Sequence, residues 1–386
     1  MASSLLQPSA SRFGKRGPAP RARIFEINWL LVTVVGLIGL VGVAMIYSAT
    51  DANWGAGAAQ HTVRMALGLA LMVGLAFVDV RVWYWLAYPA YLVALLLLVG
   101  VEVAGVTVNG SQRWLDIGVG RLQPSEIMKP ALVLALARYY HDLPTRSVSR
   151  PLGLLGALLI IGLPMALILK QPDLGTTLLV LMTGVVIVFL AGISWRVVGF
   201  AALGAAFAIP LFYVYGLQDY QRRRIATLLE PGTDPTGADY HIIQSKIALG
   251  SGGVDGKGYL QGTQRQLDYV PENTTDFIFT VIGEEFGLIG GLATMALYAL
   301  AIGLCILMST QTKARFSRLL ILGLTTTFAL YVFINLAMVM GLIPVVGVPL
   351  PLVSYGGTVI LAVMAAFGLV LGAQVYRDTE LPTPNR

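Results

Sequence analysis

The chain has 386 residues, 56% of them hydrophobic and only 12% charged, with a mean hydropathy of +0.75. Soluble domains carry roughly 25% charge, and a water-soluble globule of this length could not hide so much apolar surface, so composition excludes every class but a polytopic membrane protein. The formal net charge of +6 is then no sign of nucleic-acid binding, because basic residues collect in the cytoplasmic loops of membrane proteins.

The first 28 residues, MASSLLQPSASRFGKRGPAPRARIFEIN, are basic and rich in Ser, Pro and Ala. They lack the apolar stretch and small-residue cleavage site of a secretory signal. They predict a disordered cytoplasmic tail whose Lys and Arg residues orient the first span and touch anionic membrane lipid. A span needs about 20 apolar residues. Such segments fall near 29–49, 62–79, 84–106, 124–140, 152–169, 174–193, 196–217, 277–308, 318–342 and 357–376. The fold expected is an all-α integral membrane protein, a polytopic bundle of about ten transmembrane helices. A membrane domain covers 29–376, and a second short tail covers 377–386.

With the N-terminus inside, every inner segment is basic, carrying among others Arg81, Arg138, Arg146, Arg150, Arg196, Lys313, Arg315, Arg318 and Arg377. The positive-inside rule therefore predicts both termini in the cytoplasm. It leaves two long loops outside, at 107–123 and at 218–276, the latter between spans 7 and 8. The single cysteine, Cys305, lies in an apolar run and reads as a packed small hydrophobe. With three histidines in the chain, a dedicated zinc or iron site is not expected.

The polar residues gather at four places on the expected outer face. The first is VNGSQRWLDIGVGRLQPSEIMK, residues 108–129. Asn109-Gly110 marks a turn, Trp114 beside Arg113 suits the interface, and Pro124-Ser125-Glu126 reads as a helix start. Lys129 falls on the same helix face as Glu126. The pair is either a local salt bridge or, with Arg113 and Arg121, part of a charged rim for an anionic headgroup. The cost of ionisable groups inside a span favours a working role. The second place is KQPDLGT, where Asp173 caps the next helix or pairs with Lys170.

The third place is the long loop. Gln221, Arg222, Arg223 and Arg224 form a cationic run, followed by Gln244, Ser245 and Lys246 and then GSGGVDGKG with Lys257. Such glycines either offer N–H groups to phosphate oxygens or merely confer flexibility; Walker spacing is lacking, which excludes a P-loop. The loop ends in PENTTDFIF, with Asp276 against the eighth span. A dipole partner capped by Thr275 is the plain alternative to a working carboxylate there. Glu284 and Glu285, deeper in that span, must face the bundle or a wet cavity. The fourth place is NLAMVMGLIPVVGVPLPLVSYGGT, residues 335–358. Its prolines and glycines break the helix at membrane depth, which is tolerated only inside protein or along a cavity. It reads as the wall of a lipid groove or as a re-entrant structural loop.

These motifs, NGSQRWLDIG, RLQPSEIMK, KQPDLGTT, HIIQSKIALGSGG, GKGYLQGTQRQLDYVPENTTDFIF and GLIPVVGVPLPLVSYGG, resemble in order and spacing those of the SEDS family (shape, elongation, division and sporulation), in its RodA branch. The resemblance covers about 29–376 and implies a ten-span peptidoglycan glycosyltransferase of the bacterial cytoplasmic membrane. Such an enzyme polymerises lipid II outside the membrane for cell-wall elongation and rod shape. Its partners would be a class B penicillin-binding protein that crosslinks the strands and other elongation-complex proteins. The resemblance gives Asp276 the role needed for polymerisation, makes Trp114 important, and puts Glu126 and Lys129 in the same cavity. The chain departs from the family at Thr274, where histidine is common, at Val359, and at Asp255, a second carboxylate that competes weakly for the base role.

The expected chemistry is attack of an acceptor sugar hydroxyl on the donor's anomeric carbon, with inversion, loss of undecaprenyl diphosphate and Asp276 as general base. Arg113, Arg121, Lys129, Arg222, Arg223, Arg224, Lys246 and Lys257 are candidates to steady the leaving diphosphate. Gln244 and Ser245 are candidate substrate contacts. No cofactor is identifiable, and a Mg or Mn ion sharing the diphosphate charge is compatible with the sequence. A lipid II flippase and a non-catalytic scaffold are the rival functions. A flippase needs polar groups reaching the inner face, and a scaffold needs none of the buried ions.

Overall fold

The computed structural model describes residues 20–108, 111–118, 120–217, 221–222, 225, 238–263 and 274–382. Residues 1–19 of the tail, the Asn109-Gly110 turn, Arg223, Arg224 and residues 264–273 lie outside the described residues. In chain order the helices are α1 (Pro20–Glu26), α2 (Trp29–Ala49), α3 (Ala58–Ala76), α4 (Val80–Ala104), α5 (Pro124–Asp142), α6 (Pro151–Lys170), α7 (Leu174–Leu190), α8 (Trp195–Tyr215), α9 (Ala238–Ser251), α10 (Ile278–Gln311), α11 (Arg315–Val339) and α12 (Gly357–Val375). Eight of them, α2, α3, α4, α6, α8, α10, α11 and α12, are long and apolar enough to cross a membrane. The apolar α7 has 17 residues. The 19-residue α5 is less apolar because it carries Glu126, Lys129, Arg138 and Asp142. Each of the expected spans thus has its helix, and the chain is an all-α multi-pass membrane protein.

Local chemistry sets the helix ends. Asn28 caps α2 by accepting from Leu31 N at 3.1 Å, and Asp79 caps α4 by accepting from Arg81 N at 2.9 Å. Pro124 and Pro151 open α5 and α6, where a missing N–H costs nothing. The Asp79 cap starts α4 at Val80 rather than 84, and α3 starts at Ala58 rather than 62. The tail expected to be disordered through residue 28 is helical from Pro20. Glu26 there pairs with Arg377 at 2.8 Å, and the Arg23 guanidinium lies 5.2 Å from the Tyr376 ring centre.

α11 and α12 form the buried centre of the bundle, with α5, α7 and α10 against α11 and with α3 along α12. α8 stands at the edge with no residue buried, as a helix facing lipid on all sides would be. The loop expected at 107–123 is a small antiparallel sheet of β1 (Val106–Val108), β2 (Ser111–Asp116) and β3 (Arg121–Leu122), in the order β1-β2-β3. Gln112 Nε2 ties it to the end of α4 by donating to Val101 O at 2.9 Å and Gly105 O at 3.0 Å.

α10 is broken at Gly287, where φ is 62° and ψ is −156°, a conformation almost confined to glycine. The glycine-rich loop fills the break. Lys257 N donates to Glu284 O and Gly258 N to Glu285 O, both at 3.0 Å, while Gly253 O and Val254 O accept from Leu288 N and Ile289 N at 3.0 and 3.2 Å. A Cβ on Gly256 (φ +81°) would come within 2.2 Å of Glu285 O. These glycines therefore serve backbone-to-backbone docking, and the phosphate-cradle reading of GSGGVDGKG gives way to a structural one. Backbone groups freed by a helix break inside a membrane must be satisfied within the protein.

Candidate active site

The segment 343–356 between α11 and α12 is irregular, and side chains from several helices hold its carbonyls. Asn335 Nδ2 donates to Val348 O at 2.8 Å, Tyr298 OH to Pro351 O at 2.7 Å, and His61 Nε2 lies 3.1 Å from Leu352 O. Leu352 itself sits at a φ of 68°, a strained conformation for leucine that the His61 contact stabilises. This fixed surface receives the stretch before α10. Tyr355 N donates to Thr274 O at 2.8 Å, Ser354 Oγ donates to Thr275 O, and Asn335 Nδ2 donates to Asp276 O at 2.7 Å.

Asp276 consequently lies outside the helix. The α10 N-cap is Phe277, with no side-chain cap bond, so the Thr275-cap alternative does not hold, because Ser354 and Asn335 keep residues 275–276 non-helical. The half-buried Asp276 carboxylate rests over Gly347 (φ +71°), where a Cβ would stand 3.5 Å from Oδ2. Backbone on both sides of the carboxylate is therefore fixed before any substrate arrives, as catalysis by a positioned base requires.

The structure sorts the expected cations. Arg113 bonds the α6–α7 loop, with Nε donating to Gln171 O at 3.1 Å, Nη2 to Pro172 O, and Nη1 3.8 Å from Asp173 Oδ2. Asp173 caps α7 through Thr176 N at 3.1 Å and pairs with Arg113, not Lys170. Lys257 Nζ reaches Glu284 Oε1 at 2.7 Å and Thr263 Oγ1 at 2.6 Å. Arg222 Nη2 donates to Val214 O at 2.7 Å, at the end of α8. Lys129 Nζ donates to Glu126 Oε1 at 2.6 Å and to Tyr331 OH, and Tyr331 OH donates to Glu126 Oε2 at 2.5 Å.

Glu126 and Lys129 were expected in one cavity with Asp276. They line a small, almost wholly apolar cavity of about 30 Å³ with Tyr331, Cys305, Phe328 and Phe367. Tyr331 closes the ion pair on itself. It stands four residues before Asn335, so the triad lies about 6 Å along α11 from the group holding Asp276 O.

Trp114 is half-buried on β2 opposite Val106, and the exposed Arg121 pairs in register with Asp116. Arg121 O accepts from Thr358 Oγ1 at 3.3 Å, which brings the sheet to the start of α12, beside the Asp276 surface. On α9, Gln244 is half-buried and Ser245 is buried with no partner for Oγ. The exposed Lys246 lies over Gly341, where a Cβ would meet Nζ at 2.8 Å. Asp255 is exposed at the loop turn against α10, next to Gly256, which meets Glu285. Glu284 and Glu285 are buried in the bundle as expected, Glu285 accepting from Ser48 Oγ at 2.5 Å. Among the described residues no three His, Cys, Asp or Glu side chains converge on a metal position.

Sequence reasoning missed Asn335, Tyr331, His61 and Arg64. Asn335 is fully buried, and its Oδ1 has no partner. The one available signal was a polar residue, Asn335, near the end of an apolar run. Arg64, an arginine inside an apolar span, was equally visible.

A bundle of helices long and apolar enough to cross a membrane, with a carboxylate-bearing segment pinned beside an irregular wall, defines the class: an all-α polytopic membrane protein. Residues 22–379 match the family model for FtsW/RodA/SpoVE cell cycle proteins, and the chain belongs to that family. It is 46% identical over 314 residues to the peptidoglycan glycosyltransferase MrdB of Escherichia coli K12, covering 81% of this chain and 84% of the relative. Its fold is similar to a chain of a peptidoglycan synthase complex described as coordinating polymerization and crosslinking, with a TM-score of 0.79 and 31% identity over 90% of this chain and 97% of that one. It is also similar to the Thermus thermophilus rod shape determining protein RodA, with a TM-score of 0.69 and 30% identity over 92% of this chain and 98% of that one. The RodA-like branch read from the motifs is thereby shown.

Proposed function

We propose that this peptidoglycan glycosyltransferase uses Asp276 as the general base that polymerises lipid II. The reading is carried by the pinned Asp276 segment, whose backbone carbonyl is held by the buried Asn335 while its carboxylate stays half-buried over Gly347. The C4 hydroxyl of the acceptor GlcNAc attacks the anomeric carbon of the donor MurNAc. Asp276 takes the hydroxyl proton, the bond to the diphosphate breaks with inversion, and undecaprenyl diphosphate leaves with the electron pair. General-base help of this kind is worth about 10²–10⁴-fold. Lys246 and Arg121 remain as diphosphate partners on exposed positions near this surface, whereas Arg113, Lys129 and Lys257 act mainly by holding structure. A Mg or Mn ion could share the diphosphate charge, which a chelator would reveal as lost rate.

The same reading sets the chain in the bacterial cytoplasmic membrane with both termini in the cytoplasm and Asp276 outside, and pairs it with a class B penicillin-binding protein in the elongation complex. The orientation is supported by the basic inner segments, and the pairing by the synthase complex to which the fold is similar. The experiment is lipid II in liposomes with purified protein, read for glycan polymer on a gel and separately for translocation. Polymer that disappears in Asp276→Ala, while that variant inserts and melts normally, supports the reading. Translocation without polymer in the wild type would replace it by a flippase.

A further inference from the structure

Arg64 is the seventh residue of α3, about 9 Å along the helix from its start. It lies on the side of α3 that faces the SYGG turn. Its guanidinium carbon is 4.9 Å from the Tyr355 ring centre, and a Cβ on Gly357 would stand 3.4 Å from it. The Tyr355 ring is fixed in turn, its OH donating to Gln60 Oε1 and its N–H to Thr274 O, two residues before Asp276. Among the described residues Arg64 makes no salt bridge, and its Nη1 is buried without a hydrogen-bond partner. An arginine packed against an aromatic ring inside a span is costly unless an anion completes it, and a guanidinium fork matches phosphate oxygens two at a time.

We propose that Arg64, braced by Tyr355 and given room by Gly357, is a binding residue for a lipid-borne phosphate beside Asp276. On the polymerase reading, on which the choice of ligand rests, that phosphate belongs to the polyprenyl diphosphate of the donor. Bound there, the diphosphate would lie between the Arg64 fork and the Asp276 segment, joined through the Tyr355–Thr274 hydrogen bond. The charge that accumulates on the leaving group would then meet a donor already in place, at no cost of reorganisation.

The test is equilibrium binding to the full-length protein in detergent, made in the Asp276→Asn background so that no turnover intervenes. Three probes are used: undecaprenyl diphosphate, phosphatidylglycerol and undecaprenol. Arg64→Gln is expected to weaken undecaprenyl diphosphate binding at least tenfold and to leave undecaprenol binding unchanged. An equal loss for phosphatidylglycerol would support the phosphate site and name a membrane phospholipid as a second occupant. Unchanged binding of both phosphate lipids by folded Arg64→Gln overturns the proposal. If Arg64→Gln does not insert, Arg64→Lys decides, with at least threefold weaker binding expected and wild-type binding contrary. Because binding is read without polymerisation, an Asp276→Asn protein that still made polymer would sink the base assignment and leave the Arg64 result standing.

Discussion

The Glu126–Lys129–Tyr331 triad and the Asp276 surface sit about one turn apart on α11 and have opposite designs. In the triad every charge is spent. Lys129 donates to both partners, Tyr331 closes the ring to Glu126, and the remaining wall is apolar. At the Asp276 surface the bonds go to the backbone, through Asn335, Ser354 and Tyr355, and the carboxylate lies half-buried over a glycine. A self-satisfied buried cluster fixes the relation of two helices, whereas the bonds to residues 274–276 fix a stretch of backbone against an irregular wall. Residue type alone does not separate the two, since both present an acid with cations close by in sequence.

Substitutions should break this contrast in a definite order. Asp276→Ala should lower polymerisation about 10²–10⁴-fold and leave the melting temperature in detergent near that of the wild type. Lys129→Met should do the reverse in kind, stranding a buried carboxylate at a cost of about 3–5 kcal/mol. The thermal melt should fall steeply, and the double variant Glu126→Gln with Lys129→Met should recover part of it. Activity lost at an unchanged melt in Lys129→Met would move the triad into the chemistry. Asn335→Ala should do some of each. Losing two buried bonds costs stability of about 1–3 kcal/mol, and kcat should fall more than KM rises, because the base is displaced while binding groups remain.

Smaller effects separate scaffold from site. Gly347→Ala forces alanine into a left-handed conformation, costing about 1–2 kcal/mol, and crowds Asp276 Oδ2; polymerisation should drop further than stability does. Asp173→Ala removes a helix cap and the Arg113 pair, worth about 1 kcal/mol. The melt should shift slightly with kcat unchanged, and a large kcat defect would return Arg113 to the substrate.

The helices of the bundle and the polar stretches between them were legible because hydropathy acts through length and composition, which a sequence displays directly. Asp276 was legible because it interrupts an apolar boundary inside a motif. The duties of the cations were not. Arg113 and Asp173 are 60 positions apart in the chain, and Lys129 meets Tyr331 across 202, so no local pattern could reveal that they are spent. The glycines of GSGGVDGKG looked like a phosphate cradle because the same freedom serves close backbone docking, here into the break at Gly287. Asn335 and Arg64 gave only the weak signal of a polar residue in an apolar run; their importance lies in what the fold brings against them.

The most direct test of the central claim is the rate of glycan polymer formation from lipid II by purified Asp276→Asn protein, compared with the wild type at equal folded fraction. The substitution keeps the shape of the side chain and the Asn335 bond to the backbone while removing the basic oxygen. Polymer should fall to background with unaltered lipid II binding; polymer at the wild-type rate would show that the proton goes elsewhere.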